Sequence, residues 1–133
     1  MTRWNDPPGG FLPVSAPDYL PRPQLEAVQL QRLQAVVTRA FEHQELFRDR
    51  MEAAGLKPTD VTGLADLARL PFTVKADLRD TYPFGLFASP MEEVVRLHAS
   101  SGTTGKPIVV AYAQADLDVW SEVMVRTFAA AGV

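Results

Sequence analysis

The stretch VVRLHASSGTTGKPIVVAY, residues 94–112, decides how this chain is read. Val94 to Ala99 and Ile108 to Tyr112 are rich in β-branched and aromatic residues, so each predicts a strand. Between them Ser100, Ser101, Gly102, Thr103, Thr104, Gly105, Lys106 and Pro107 bring hydroxyls, two glycines and one cation into a single loop. Those residue types suit a phosphate group. Hydroxyls donate to phosphate oxygens, glycines let the backbone approach or take positive φ, and the lysine adds charge. Gly, Ser and Thr also dominate ordinary turns, so on spacing alone a plain hairpin turn stands level with the phosphate reading. Length, hydroxyl content and Lys106 count against a simple hairpin. A Walker A loop does not fit: its first glycine would fall at Ser100, and Pro107 stands where a hydroxyl residue would reach magnesium. A Walker loop also opens onto a helix, whereas Ile108 to Tyr112 reads as strand, so no helix dipole is available to the anion.

Outward from the loop, Leu117, Trp120, Met124, Phe128 and Ala131 recur every three or four residues and predict a helix that Gly132 ends, with Trp120 and Phe128 in the core. Ala113 precedes it without a capping hydroxyl, an omission worth ~1 kcal/mol of helix stability. His98, on the strand before the loop, reads as structural by alternation rather than as a general base. Upstream, Leu25, Val28, Leu30, Leu33, Val36, Val37, Ala40 and Phe41 mark a long amphipathic helix from Gln24. A second follows from Gln44 to Ala54 with Gly55 as its stop. Leu64, Leu67 and Leu70 predict a short helix within 57–70. Thr73 is placed to cap another, running to about Tyr82, on which Lys75, Asp77, Arg79 and Asp80 form a solvated face. Six of the 11 prolines fall in residues 1–23, at 7, 8, 13, 17, 21 and 23, so that leader is expected to be extended and loosely ordered.

Composition narrows the function classes. The chain has 133 residues, 47% hydrophobic and 22% charged, enough for one modest core. A net charge of -3 offers no basic footprint for nucleic acid, and no run approaches the ~18 apolar residues of a membrane span. No cysteine is present, which excludes disulfides and thiolate metal sites. The expectation is a cytoplasmic protein without nucleic-acid or membrane partners, and no metal site is assigned within this sequence.

The segment HASSGTTGKPIVVAY, preceded by LPFTVKADLRDTYPFGLF and followed by DLDVWSEVMVRTFAAAGV, resembles the N-terminal part of the phenylacetate-CoA ligases. The likeness runs from about Tyr19 to the last residue, and residues 70–87 are its more specific portion. The family belongs to the adenylate-forming enzymes, which share the Ser, Thr and Gly loop. The resemblance implies an α/β protein, the N-terminal fragment of an adenylate-forming large domain: helices first, then a strand-loop-strand hairpin and a helix. Its expected parts are a Pro-rich leader (1–23), a helical region (24–90) and the start of the α/β adenylation domain (91–133). The implied reaction joins an aryl acid to CoA, using ATP with Mg²⁺ and passing through an acyl-adenylate to AMP and diphosphate. Ser100, Ser101, Gly102, Thr103, Thr104, Gly105 and Lys106 would wrap the β- and γ-phosphates of ATP. Lys106 departs from the commoner pattern, in which the lysine follows the proline. No catalytic residue is implied within these 133 positions, since the substrate carboxylate is itself the nucleophile. A homodimer is a further implication of the family.

Family enzymes run to about three times this length, with the ribose, adenine and acyl sites downstream, so the chain is expected to be an incomplete fragment that is inactive alone. Two alternatives remain open: a stand-alone, non-catalytic binding or assembly module derived from such a ligase, and a related adenylate-former acting on another aryl acid.

Overall fold

The computed structural model describes residues 13–100, 105 and 107–132. The chain opens with a 3-10 helix at Pro13–Tyr19, then α1 (Arg22–His43) and α2 (Glu45–Ala53). Two short 3-10 helices, Pro58–Asp60 and Leu64–Arg69, lead to α3 (Asp77–Asp80). A last 3-10 turn at Met91–Glu93 precedes β1 (Val94–Ala99), β2 (Val109–Ala113) and α4 (Gln114–Ala131). Helices come first, then one antiparallel hairpin and a closing helix, as the sequence predicts.

The α1 stripe and the underside of α2 close a small core. Val37, Met51, Leu56 and Val61 are buried, with Leu30, Leu33, Phe41, Phe47 and Leu70 packed around them. Met51 is 0% exposed and forms the centre. The α2 end is built for this. Gly55 takes φ +67°, the left-handed conformation glycine adopts most readily, so the Gly55 N–H reaches Glu52 O at 2.9 Å and Leu56 N–H reaches Met51 O at 2.9 Å. That turn drops Leu56 into the core beside Met51. Arg48 caps the preceding helix by donating to the carbonyls of Phe41 and Glu42, both at 3.2 Å. Gln34 donates to Val61 O at 2.8 Å and ties the 58–61 turn onto α1.

Several expectations change. Residues 13–19 of the leader coil into a 3-10 helix instead of running extended; Pro13 and Pro17 have φ suited to it, and Arg126 of α4 pairs with Asp18 at 3.4 Å. The rest of the expected loose leader, residues 1–12, lies outside the described residues. Helix α1 begins at Arg22 because Pro23 fits the first helical turn, where no amide donor is needed. The single helix expected in 57–70 is two 3-10 pieces broken at residues 61–63. Thr73 is not the cap of α3, which is only four residues long. Asp77 reaches back instead and accepts the Val74 N–H at 2.7 Å.

Asp77 also leaves the solvated face assigned to it. It is 7% exposed and takes both guanidinium arms of Arg50, at 2.6 and 2.7 Å. Arg50 donates as well to Phe72 O at 2.8 Å, so one side chain clamps α2 to the whole 72–77 turn. The Arg50 hydrogen bonds, then the Val74 amide, hold the Asp77 carboxyl down at about 2, against the opposing effect of burial. On the far side, α4 buries none of its residues: Trp120 is 42% and Phe128 51% exposed, not core. Among the described residues, β2 and the Pro13–Tyr19 helix make its main contacts, too few to cover its apolar side chains.

Candidate phosphate-binding site

The hairpin carries the loop. Strands β1 and β2 pair Arg96 with Tyr112, Leu97 with Ala111, His98 with Val110 and Ala99 with Val109, after an irregularity between Val94 and Arg96. One more rung follows: Ser100 N–H donates to Ile108 O at 3.0 Å, and Ile108 N–H donates to the Ser100 hydroxyl at 3.2 Å. The two ends of the loop are thus held side by side at Ser100 and Ile108.

Of the seven residues read as phosphate ligands, Ser100 and Gly105 are described. Ser101, Gly102, Thr103, Thr104 and Lys106 lie outside the described residues. Gly105 takes φ +138°, a conformation that side chains rarely adopt, and an added Cβ would meet nothing within 4 Å. Glycine is needed there for the backbone angle and not for space. Strand β2, and not a helix, follows the loop along the chain.

The two faces of the hairpin have different surroundings. On one, the His98 ring meets Tyr112 edge-on at 5.0 Å and Trp120 at 6.0 Å, while Tyr112 and Trp120 lie 5.5 Å apart. His98, itself exposed, thereby joins the end of β1 to α4 through ring contacts. On the other, a cavity of about 270 Å³ separates β2 from the helical region, lined by Leu78, Leu86, Phe87, Val109 and Ala111. Gln44, at the joint of α1 and α2, donates to Leu86 O at 2.7 Å and fixes that wall. The start of α4 is fixed too. Ala113 supplies no capping oxygen, yet its N–H is taken by Asp116 at 2.8 Å, the return half of a capping box.

Sequence reasoning missed the Arg50–Asp77 clamp. A local signal existed for the Asp77 half alone, because Asp60, Asp66, Asp77 and Asp116 each accept the amide three residues earlier, from Lys57, Gly63, Val74 and Ala113, whereas nothing local pointed to Arg50. An acidic residue at the third position of a tight turn was the pattern to look for. Asp66 takes the Thr62 and Gly63 amides and Arg69, all of which lower its pKa. Among the described residues no three His, Cys, Asp or Glu side chains gather as a metal site, and no helix is long and apolar enough to cross a membrane.

No family model matches the chain. Solved structures do, and they define the class. A 2-hydroxyisobutyryl-CoA ligase in the postadenylation state, in complex with 2-HIB-AMP, superposes with a TM-score of 0.75 at 29% identity, over 86% of this chain and 25% of that one. The same ligase with 2-HIB-AMP and CoA in the thioesterification state gives 0.66 at 36% identity, over 73% and 22%. The fold is that of a segment of an adenylate-forming ligase. In sequence the chain is related more particularly to the phenylacetate-CoA ligases. It is 55% identical over 113 residues to that of Thermus thermophilus, covering 85% of this chain and 25% of the relative. Against that of Aromatoleum evansii it is 48% identical over 125 residues, 94% and 28%. The chain spans about a quarter of the length of these relatives.

Proposed function

We propose that this chain is the N-terminal part of an ATP-dependent phenylacetate-CoA ligase, in which Ser100 to Lys106 hold the β- and γ-phosphates of ATP and steady the departing diphosphate. The observation that carries the reading is the hairpin: it brings Ser100 and Ile108 to one rung and presents a Ser, Thr, Gly and Lys run between them, within a segment 55% identical to a phenylacetate-CoA ligase. The residues suit the group. Hydroxyls, backbone amides and Lys106 are all donors, and Gly105 adopts an angle that lets the backbone wrap an anion.

The reaction is acid, ATP and CoA to acyl-CoA, AMP and diphosphate, by way of an acyl-adenylate. The substrate carboxylate attacks the α-phosphorus, so this segment contributes position and charge rather than a nucleophile. Mg²⁺ accompanies the nucleotide, and no residue of this segment is assigned to it. The division into a leader (1–23), a helical region (24–90) and the start of the adenylation domain (91–133) belongs to the same proposal, with a cytoplasmic homodimer as its setting. A second choice of acid has its own support, because a 2-hydroxyisobutyryl-CoA ligase is among the structural neighbours. A panel of aryl and 2-hydroxy acids offered to the full-length protein separates the two.

Lys106→Ala in the full-length protein tests the phosphate role. Adenylation should slow by about 10²-fold, as expected for a lost charge-stabilising donor, with the KM for the acid little changed. Equal adenylation rates would leave the run as an ordinary turn.

A further inference from the structure

Ser100 occupies the last rung before the loop, and its hydrogen bonds depart from those of a regular pair. In a hydrogen-bonded antiparallel pair each residue gives its N–H to the other's carbonyl. Ser100 does so, to Ile108 O at 3.0 Å. The return bond runs to a side chain: Ile108 N–H donates to Ser100 Oγ at 3.2 Å. Pro107 has no N–H, so Ile108 carries the first amide donor after Lys106.

We propose that Ser100 is a positioning residue for the phosphate loop, its hydroxyl oxygen standing in for its own carbonyl as the last acceptor of the β1–β2 ladder. The Ser100 carbonyl is thereby left out of this rung, its place taken by the hydroxyl of the same residue. A hydroxyl has one proton and two acceptor sites, so accepting the Ile108 amide leaves the O–H free to donate outward. Serine therefore does two jobs at one atom: it closes the base of the loop and offers a donor beside it. Threonine keeps the oxygen and suits a strand end, whereas alanine and glycine remove the acceptor. This inference rests on the phosphate reading of residues 100–106.

The test uses the full-length protein as wild type, Ser100→Thr, Ser100→Ala and Lys106→Ala. Amide exchange at Ile108 is followed without nucleotide, alongside the KM for ATP, the KM for the acid and the kcat of adenylation. Loss of one exposed hydrogen bond should speed Ile108 exchange in Ser100→Ala by about fivefold. The KM for ATP should rise about tenfold with the KM for the acid within about twofold, and Ser100→Thr should restore both readouts. Unchanged Ile108 exchange in Ser100→Ala overturns the proposal, even with a raised KM for ATP, because Ser100 would then act only as a direct phosphate ligand. Faster exchange with an unchanged KM for ATP overturns it too, since the rung would not govern the loop. Should Ser100→Ala not fold, Ser100→Gly lacks the same acceptor and repeats the measurement. Normal adenylation by Lys106→Ala sinks the phosphate reading separately, while the exchange readout still reports on the rung.

Discussion

Residues 22–80 and residues 94–131 differ in what their apolar side chains build. The first region has a buried centre, Val37, Met51, Leu56 and Val61, with Val36, Leu67, Phe72 and Val74 left outside it, and the polar groups around the centre are tied off by Gln34, Arg48 and Arg50. The second leaves Val119, Trp120, Val123, Met124, Val125 and Phe128 substantially exposed along α4. One hairpin and one helix form too thin a layer to cover both faces of each element. The helical region thus closes a small core of its own, while the hairpin and α4 carry the loop on a frame held by rings and a few amides. Under the ligase proposal, the apolar surface of α4 is what the remainder of a much longer chain would pack against.

The contrast can be broken most directly at Met51. Met51→Ala empties the centre of the closed core and should cost about 2–5 kcal/mol in denaturant unfolding. A cost below about 1 kcal/mol would mean that the core is not the organising feature of the helical region.

Acid offers a second route, through the Arg50–Asp77 clamp. Asp77 has its folded pKa depressed to about 2, below the ~3.9 of an unfolded aspartate, so it stabilises the fold above ~4. That contribution fades as pH falls through the interval between the two values. Asp77→Asn should lower stability at neutral pH and flatten the acid limb between about pH 4 and 2. Parallel acid limbs for the two proteins would show that the pair is not coupled to folding.

Smaller effects sharpen the boundary. Gly55→Ala forces a Cβ into the left-handed region at φ +67° and should cost about 1 kcal/mol by thermal unfolding. Phe128→Ala, on the uncovered helix, should change the stability of this chain by less than about 1 kcal/mol, in contrast to Met51→Ala. A Phe128→Ala cost equal to that of Met51→Ala would erase the distinction between the two regions.

Much of this was legible beforehand. The three- and four-residue spacing located α1, α2 and α4, and alternating β-prone runs located the hairpin within a residue. Gly55 marked the α2 terminus because few other residues tolerate that turn. The errors share a cause. A hydroxyl at Thr73 is a familiar capping signal, while the Val74 amide is taken by Asp77, three residues beyond Val74. Asp77 was assigned to solvent because alternating charges usually lie there, and its partner Arg50 is 27 residues away on another helix. For Trp120 and Phe128, periodicity identified the apolar face correctly but carried no information about what covers it. Within the loop, the same residue types that suit phosphate also suit turns, so composition alone left Ser100 with two roles.

By itself the sequence determined the order of elements, the glycine stop at residue 55, the hairpin and the residue types of its loop, because these depend on local periodicity and backbone preference. Only the tertiary structure decided that Arg50 and Asp77 meet, that α4 leaves its apolar face uncovered, and that the Ser100 hydroxyl takes the Ile108 amide. Those are contacts between segments distant along the chain, or choices among several acceptors in reach. Local residue preferences do not carry that information.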